Sequence, residues 1–355
     1  MNESDKNDNN KHVLIRNVHC WEDFDELLWG CGPFLFRGQR DSSWNLETNY
    51  EREFGDNCSM ESFMINRCIS EGHLFVENPP DSDDVVSWLA EMQHCGASTR
   101  LLDVTRSKYI ALFFAVKDNE KDKKNKKEKD GAVWIFNTPV SDNCLYESIK
   151  AELPRAETDR QGEIFGDGIM PYQDTGWQIA EAAIKCEPAG KITETRESLK
   201  NCKEIINEYY KEGMVIHLVP KRLNKRLLAQ QGEFLFPLNI KKSFVQNLLG
   251  PIGGSGYNGD LCDFGGIKTW NDARKKASPN IIKCIIPASM KKEFEERLLD
   301  MNISNLTLFP DEEGFMRSLK YQRGRDYKIC TSRHGRDGKI VGSFNMFEMR
   351  NLPSS

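Results

Sequence analysis

A run of six apolar residues, Ile110–Ala115, constrains the fold of this chain more than any other feature. It follows the polar turn Thr105–Ser107, and an apolar run of this kind predicts a helix that is buried on most of its surface. A buried helix needs other elements packed around it. Runs of strand length occur on both sides of it, at 34–38, 132–136, 214–219, 231–237, 280–286 and 306–310. The sequence therefore predicts an α+β domain, with 306–310 as its last core strand.

Further helices and two insertions complete the predicted organisation. Residues 59–93 carry apolar side chains at helical spacing with a break at Asn78–Pro80, and 291–299 reads as another helix. We expect a largely helical insertion at 138–212. A second insertion at 250–266 holds seven glycines, whose spacing is too irregular for a dinucleotide-binding fingerprint or a P-loop. Both insertions are expected to rim the functional site.

Composition limits the class of protein. The chain has 355 residues, 39% of them hydrophobic, and a formal net charge of -5, which argues against coating nucleic acid or an anionic membrane through its overall field. No apolar stretch approaches the roughly 18 residues of a membrane span, and Met1–Lys11 lacks a hydrophobic signal core. The 11 cysteines form no C-x-x-C pair. We therefore expect a cytoplasmic protein with reduced thiols, no metal and no membrane contact.

Charge and polarity suggest the domain limits. Residues 1–12 are polar and predict a disordered tail, 13–325 predict one catalytic domain, and 326–355 predict a basic C-terminal tail. The segment 317–339 holds eight basic residues against two acidic ones, which hints at a polyanionic partner. The run 117–130, with seven lysines against five acidic residues, favours a solvated loop over a nucleic-acid clamp.

Four ordered motifs resemble the FRG-domain family over about residues 20–325. They are FLFRGQRDSSWNLETNYER, QHCGASTRLLDVTRSKYIALFFA, LLAQQGEFLF and LTLFPDEEGFMRSL. Three of these segments also resemble the R, S/T and Q/E-x-E elements of NAD-dependent ADP-ribosyltransferases. The second resemblance implies a split antiparallel β-sandwich, in which two packed sheets enclose a cleft, with a helical N-terminal layer and inserted loops.

The resemblance also implies roles for the catalytic residues. Glu233 would stabilise the ribose cation left when nicotinamide departs. Gln231, expected on the same strand face, would hold the attacking nucleophile. Thr105 would orient Glu233, although LLDVT replaces the serine-rich strand typical of transferases, so Asp103 could share this role.

The same resemblance implies a set of cofactor-binding residues. Arg37, followed by Gly38 and Gln39, would grip the diphosphate of NAD, since a guanidinium fork suits phosphate oxygens. His94 and Arg100 would make further contacts to NAD or to the target.

The residue types leave structural alternatives open. Arg37 could pair with a core carboxylate, Thr105 could cap a helix, Glu233 could be an exposed strand residue, and His94 could be a satisfied structural side chain.

The expected function is NAD-dependent transfer of ADP-ribose onto a macromolecule. The basic segment favours RNA or DNA over protein as the acceptor, and the resemblance suggests a bacterial toxin or anti-phage effector with an antitoxin or chaperone as partner. One alternative is an NAD glycohydrolase, in which water is the acceptor. Another is a non-catalytic module that binds nucleotides or nucleic acid.

Overall fold

The computed structural model describes residues 13–26, 34–117, 129–136, 171–186, 192, 195–221, 223–253 and 281–319. The predicted tails at 1–12 and 326–355, most of the lysine-rich run and the glycine-rich loop beyond Gly253 lie outside this part of the chain. No helix in the described part is long and apolar enough to cross a membrane.

Seven strands form one mixed sheet in the order β1-β7-β4-β2-β3-β6-β5. Only the β1–β7 pair is parallel, and the other neighbours are antiparallel. The strands are β1 Val13–Asn17, β2 Leu35–Gln39, β3 Leu102–Thr105, β4 Gly131–Phe136, β5 Val215–Leu218, β6 Gly232–Pro237 and β7 Ile281–Ile286.

The sheet is nearly divided between β2 and β3. These strands are paired at one position, Phe36 with Thr105, whereas β2 pairs with β4 over five positions and β3 with β6 over four. The predicted α+β class is confirmed. The expected two packed sheets are not what the described strands form, because this single pair keeps both blocks within one sheet.

The described residues also form eleven α-helices between residues 13 and 308. They are α1 Trp21–Glu26, α2 Asn49–Phe54, α3 Cys58–Glu71, α4 Val85–His94, α5 Lys108–Val116, α6 Pro171–Cys186, α7 Lys203–Glu212, α8 Lys225–Ala229, α9 Phe244–Gly253, α10 Ala288–Asp300 and α11 Asn305–Leu308. The helices predicted within 59–93 and at 291–299 are confirmed as α3, α4 and α10.

The apolar run Ile110–Ala115 lies within helix α5, which packs directly on β2. Its N-cap is Ser107, whose side chain accepts a hydrogen bond from the backbone of Ile110. A Cβ atom at Gly38 would lie 1.9 Å from the backbone oxygen of Ala111. Glycine at this position of β2 therefore lets the helix approach the strand closely.

The insertion predicted at 138–212 is helical where the structure describes it, but its helices do not rim a site. Trp177 and Ile179 of α6 and Ile206 of α7 are buried in the main hydrophobic core, which also contains Phe234 of β6. The reason is that both helices carry apolar side chains at helical spacing. Packing of α6 on β5 and α4, and of α7 on α9, removes this apolar surface from water.

The strand predicted at 306–310 is wrong, because Asn305–Leu308 is a short helix. Ser304 and Thr307 form a reciprocal capping box, in which each side chain bonds the backbone N–H of the other residue. This helix belongs to a second compact unit, 304–355, that is separate from the unit 1–303. In the described part of the second unit, residues 312–319 are also helical.

Candidate active site

The side chain of Glu233 is a buried carboxylate with two cationic or polar partners. It is the second residue of β6 and its side chain is 4% exposed. Oε2 lies 2.6 Å from Nε2 of His217, and Oε1 lies 3.0 Å from Nε of Arg106. Burying a carboxylate is expensive unless partners of this kind compensate for the lost water. Two side chains therefore stabilise this carboxylate inside the protein.

Three neighbouring strands bring this group together. Glu233 pairs with Val104 of β3, and Arg106 is the first residue after β3. His217 of β5 is paired with Leu235, which shares a sheet face with Glu233 because it is two positions away. The cluster depends on the register of two strand pairs, so a slip by one residue would dismantle it.

Arg37 lies on the same face of the sheet as Glu233. Thr105 pairs with both Phe36 of β2 and Gly232 of β6, so these three residues share one face. Arg37 and Glu233 directly follow Phe36 and Gly232 and therefore share the opposite face. The R and E motifs thus meet across β3, at the point where the sheet is nearly divided.

The guanidinium of Arg37 retains an unused hydrogen-bond donor. Its Nη1 donates to the backbone oxygen of Asp103 at 2.5 Å, while its Nε is buried and has no hydrogen-bond partner among the described residues. Burial lowers the pKa of Arg37; the carboxylate of Asp103 opposes this, and the positive charge of Arg52 adds to it. Among the described residues, the hydrogen bond of Arg37 goes to the backbone oxygen of Asp103 and not to a core carboxylate, unlike the ion pair considered from the sequence. A buried, unpaired arginine donor is suited to an anionic ligand.

Thr105 holds the backbone rather than Glu233. Its hydroxyl donates to the backbone oxygen of Gln230 at 2.7 Å and accepts from the backbone N–H of Ser107 at 3.1 Å. Its position opposite Gly232 places its side chain on the other face from Glu233. The side chain that contacts the Glu233 carboxylate from β5 is His217. The alternative role as helix cap is also wrong, because the cap is Ser107.

Gln231 precedes β6 and is exposed, so it does not share a strand face with Glu233 as expected. Its φ of 47° is in the left-handed region, which a non-glycine residue enters at a cost. Its backbone oxygen accepts a hydrogen bond from the N–H of Arg106 at 3.1 Å. The tight turn thus ties the end of β3 to the start of β6 and leaves the Gln231 side chain at the solvent edge.

Arg100, expected to contact NAD or the target, belongs to the core. Its side chain is 1% exposed and forms a buried ion pair with Glu61 of α3, with Nε 2.8 Å from both carboxylate oxygens. The guanidinium also lies 5.1 Å from the ring centroid of Phe236. These contacts direct Arg100 toward packing and away from a ligand surface. His94, the last residue of α4, is by contrast exposed.

Gly38 and Gln39, expected to assist Arg37, also have structural roles. Gly38 gives room to α5, as described above. The side-chain amide of Gln39 donates to the backbone oxygen of Asn45 at 2.9 Å and accepts from the indole Nε1 of Trp134 at 2.6 Å. Both ends of this amide are therefore used within the protein.

His217 and Arg106 are site residues that the sequence reasoning missed. His217 is the one polar residue of the strand Val215–Leu218, and a polar side chain in an apolar strand is a signal that could have drawn attention to it. Arg106 has no comparable signal, since it lies in a polar turn. In the described part of the chain, no three His, Cys, Asp or Glu side chains converge as metal ligands.

Comparison with known proteins gives one result. A family model described as FRG domain matches residues 32–124, about a quarter of the chain, and this segment contains Arg37, Thr105, Arg106 and helix α5. It does not reach His217 or Glu233. No match was found among curated proteins or among solved structures. Residues 32–124 are therefore similar to the FRG domain.

Proposed function

We propose that this chain is an NAD-dependent ADP-ribosyltransferase acting on a macromolecule. The observation that carries the proposal is the buried carboxylate of Glu233, which is held between His217 and Arg106 on the same sheet face as the unpaired donor of Arg37. A fixed anion and a cation with a free donor are the two groups that cleavage of NAD requires.

The reaction uses Glu233 to stabilise positive charge. The bond between C1′ of the ribose and the nicotinamide nitrogen breaks, and its electron pair leaves with neutral nicotinamide. The ribose carbon acquires cationic character, as in glycoside cleavage, and a preorganised carboxylate stabilises it. A lone pair of the acceptor then forms the new bond to C1′, and the acceptor releases its proton to solvent.

Arg37 would hold the diphosphate of NAD during these steps. Its Nε is buried without a hydrogen-bond partner among the described residues, so binding of a phosphate oxygen would satisfy a donor that is otherwise costly to bury. Nη1 is fixed by the backbone of Asp103, which restricts the orientation of the guanidinium before a ligand arrives.

The adjacency of the three motif strands further supports the proposal. Arg37, Thr105 and Glu233 are separated by 68 and 128 residues in sequence, and yet their strands β2, β3 and β6 are neighbours in the sheet. This supports the likeness to ADP-ribosyltransferases noted in the sequence. Thr105 contributes by joining the ends of β3 and β6.

We favour RNA as the acceptor, because the segment 317–339 concentrates positive charge in an acidic chain. Its residues beyond 319 lie outside the described part, so this argument rests on sequence. The proposed setting is cytoplasmic, as a toxin or anti-phage effector controlled by an antitoxin or chaperone, and it rests on the resemblance alone.

The test uses labelled NAD and a total cell lysate. Wild type is compared with Glu233→Gln, which keeps the shape of the side chain, and with Glu208→Gln, an exposed glutamate of α7 as the matched control. We expect Glu233→Gln to lower turnover by about 100-fold or more, as found when one preorganised electrostatic group is removed. The control should retain wild-type turnover.

The distribution of label decides between the outcomes. Glu233-dependent label in RNA, DNA or protein supports transfer and identifies the acceptor class. Label released solely as free ADP-ribose would replace the transferase with the glycohydrolase. Equal turnover of wild type and Glu233→Gln, or nicotinamide release by neither, would overturn the proposed catalytic role of Glu233.

A further inference from the structure

We infer that His217 is a positioning residue that fixes Oε2 of Glu233 and leaves Oε1 as the oxygen that faces the substrate. This inference rests on the proposed function for its reaction, but the contact between the two side chains can be tested without NAD. It assigns different tasks to the two oxygens of one carboxylate.

The bond between His217 and Glu233 is short and shielded from water. Nε2 and Oε2 are 2.6 Å apart, and the two side chains are 15% and 4% exposed. Hydrogen bonds to ionised groups are stronger than neutral ones, and low exposure strengthens them further. Both residues lie on paired strands, β5 and β6, whose register is fixed over four positions. His217 is therefore a rigid partner.

The contact on the other oxygen is easier to exchange. The side chain of Arg106 is 65% exposed, although its Nε lies 3.0 Å from Oε1. A guanidinium that lies mostly in solvent stays hydrated when it moves away, so water or a substrate hydroxyl can take its place as hydrogen-bond donor to Oε1. Arg106 also lies outside the strands, between the end of β3 at Thr105 and the cap of α5 at Ser107. Ligand binding should therefore release Oε1 and leave the bond to Oε2 in place.

The proton on the ring determines what His217 can do. A carboxylate oxygen accepts hydrogen bonds, so Nε2 must carry the ring proton and donate a hydrogen bond to Oε2. The loss of this donor would let the carboxylate rotate and would leave one buried oxygen without a protein partner. The angle of Oε1 toward the ribose would then no longer be fixed, which should lower the rate of the chemical step more than the affinity for NAD.

The kinetic experiment compares two variants with opposite expectations. His217→Gln places an amide donor close to the former position of Nε2, whereas His217→Leu has similar bulk and no donor. We expect His217→Leu to lower kcat by about 10- to 100-fold, the equivalent of losing one charge-assisted hydrogen bond. KM for NAD should change by less than about threefold, and His217→Gln should recover most of kcat.

A purely structural histidine would behave differently. In that case both substitutions would lower thermal stability and leave kcat per folded molecule unchanged. That result would overturn the inference. An equal loss of kcat in His217→Gln and His217→Leu would overturn it as well, since the donor would then be irrelevant.

A second measurement does not depend on NAD chemistry. In ¹⁵N-histidine spectra, the signals of His217 are assigned by their absence in His217→Gln. We expect Nε2 to be protonated. We also expect its ¹⁵N chemical shift to change in Glu233→Gln, in which the carboxylate is lost. An unprotonated Nε2, or no response to Glu233→Gln, would overturn the inference even if the enzyme turns NAD over. Failure of NAD turnover together with the expected spectra would overturn the proposed function and leave the contact established.

Discussion

At the scale of single residues, the site is defined by which polar atoms are satisfied within the protein. Gln39 and Arg100 have their side-chain groups bound by Trp134 and Glu61, and such residues stabilise the fold. Arg37 is different, because its Nε is buried and unpaired among the described residues. The satisfied groups are part of the scaffold, and in the proposed site the unsatisfied donor would face the ligand.

Replacing Arg37 with lysine tests this assignment. Arg37→Lys keeps a positive charge but loses the planar fork that can bind the backbone of Asp103 and a phosphate at once. We expect KM for NAD to rise by about tenfold or more, since one charge-assisted contact is lost. The free energy of unfolding, measured with urea, should change much less than NAD affinity, measured by calorimetry.

The exposed Arg67, which pairs with Glu71 along α3, offers a matched control. Arg67→Lys should leave both quantities as in wild type. Unchanged NAD affinity in Arg37→Lys would remove Arg37 from the proposed binding site.

At the scale of elements, the junction between β3 and α5 organises the site. Within a few residues it supplies the hydroxyl of Thr105, which joins the turn before β6, the guanidinium of Arg106, and the helix cap Ser107. The buried pair of Arg100 and Glu61 then connects the start of β3 to α3. This junction thus links Glu233, through β3 and Arg106, to helices α5 and α3.

The ion pair between Arg100 and Glu61 should be essential for stability and unnecessary for NAD contact. Glu61→Gln is expected to lower the free energy of unfolding by about 3–5 kcal/mol, because one buried charge loses its partner. Replacing both residues with methionine should cost less than the single change. Urea unfolding measures both effects, with Glu71→Gln on the exposed face of α3 as control.

NAD affinity separates the two roles proposed for Arg100. In the double variant, the fraction of protein that remains folded should bind NAD as wild type does. A specific loss of NAD binding from well-folded protein would restore Arg100 to the ligand site.

At the scale of the whole molecule, side-chain contacts outside the strands add to the pairing of β2 with β4. Asp41, after β2, pairs with Lys129, before β4, and also accepts two hydrogen bonds from Ser43. Burial alone would raise the pKa of Asp41, but the bonds from Lys129 and Ser43 outweigh it and lower the pKa below its ordinary value of 3.8. This carboxylate is therefore stabilised in its charged form by folding.

The sign of the pH dependence follows from that shift. A carboxyl group whose pKa is lowered on folding contributes stability above its unfolded pKa, and this contribution is lost as pH falls through its folded pKa. Asp41→Asn should therefore reduce the free energy of unfolding at pH 7, and the difference from wild type should shrink as the pH falls below 3.8. Urea unfolding at pH 7, 5 and 3 measures it, with the exposed Asp56→Asn as control. A difference that is constant with pH would contradict the linkage.

The sequence determined much of the local structure. Apolar periodicity predicted α5, α10 and most of the strands, because burial of an apolar face needs no knowledge of its partner. Local capping decided the failure at 306–310: Ser304 and Thr307 satisfy each other's backbone within four residues, and this favoured a helix where the apolar run suggested a strand.

The resemblance of the sequence motifs to ADP-ribosyltransferases also pointed to Arg37 and Glu233, which the structure places on one face of the sheet. Only the tertiary structure decided that Arg106 and His217 hold the carboxylate, that Thr105 holds the backbone and that Arg100 is buried with Glu61. The physical reason is that hydrogen bonds act over about 3 Å between strands far apart in sequence, and strand order and register determine which side chains come within that distance.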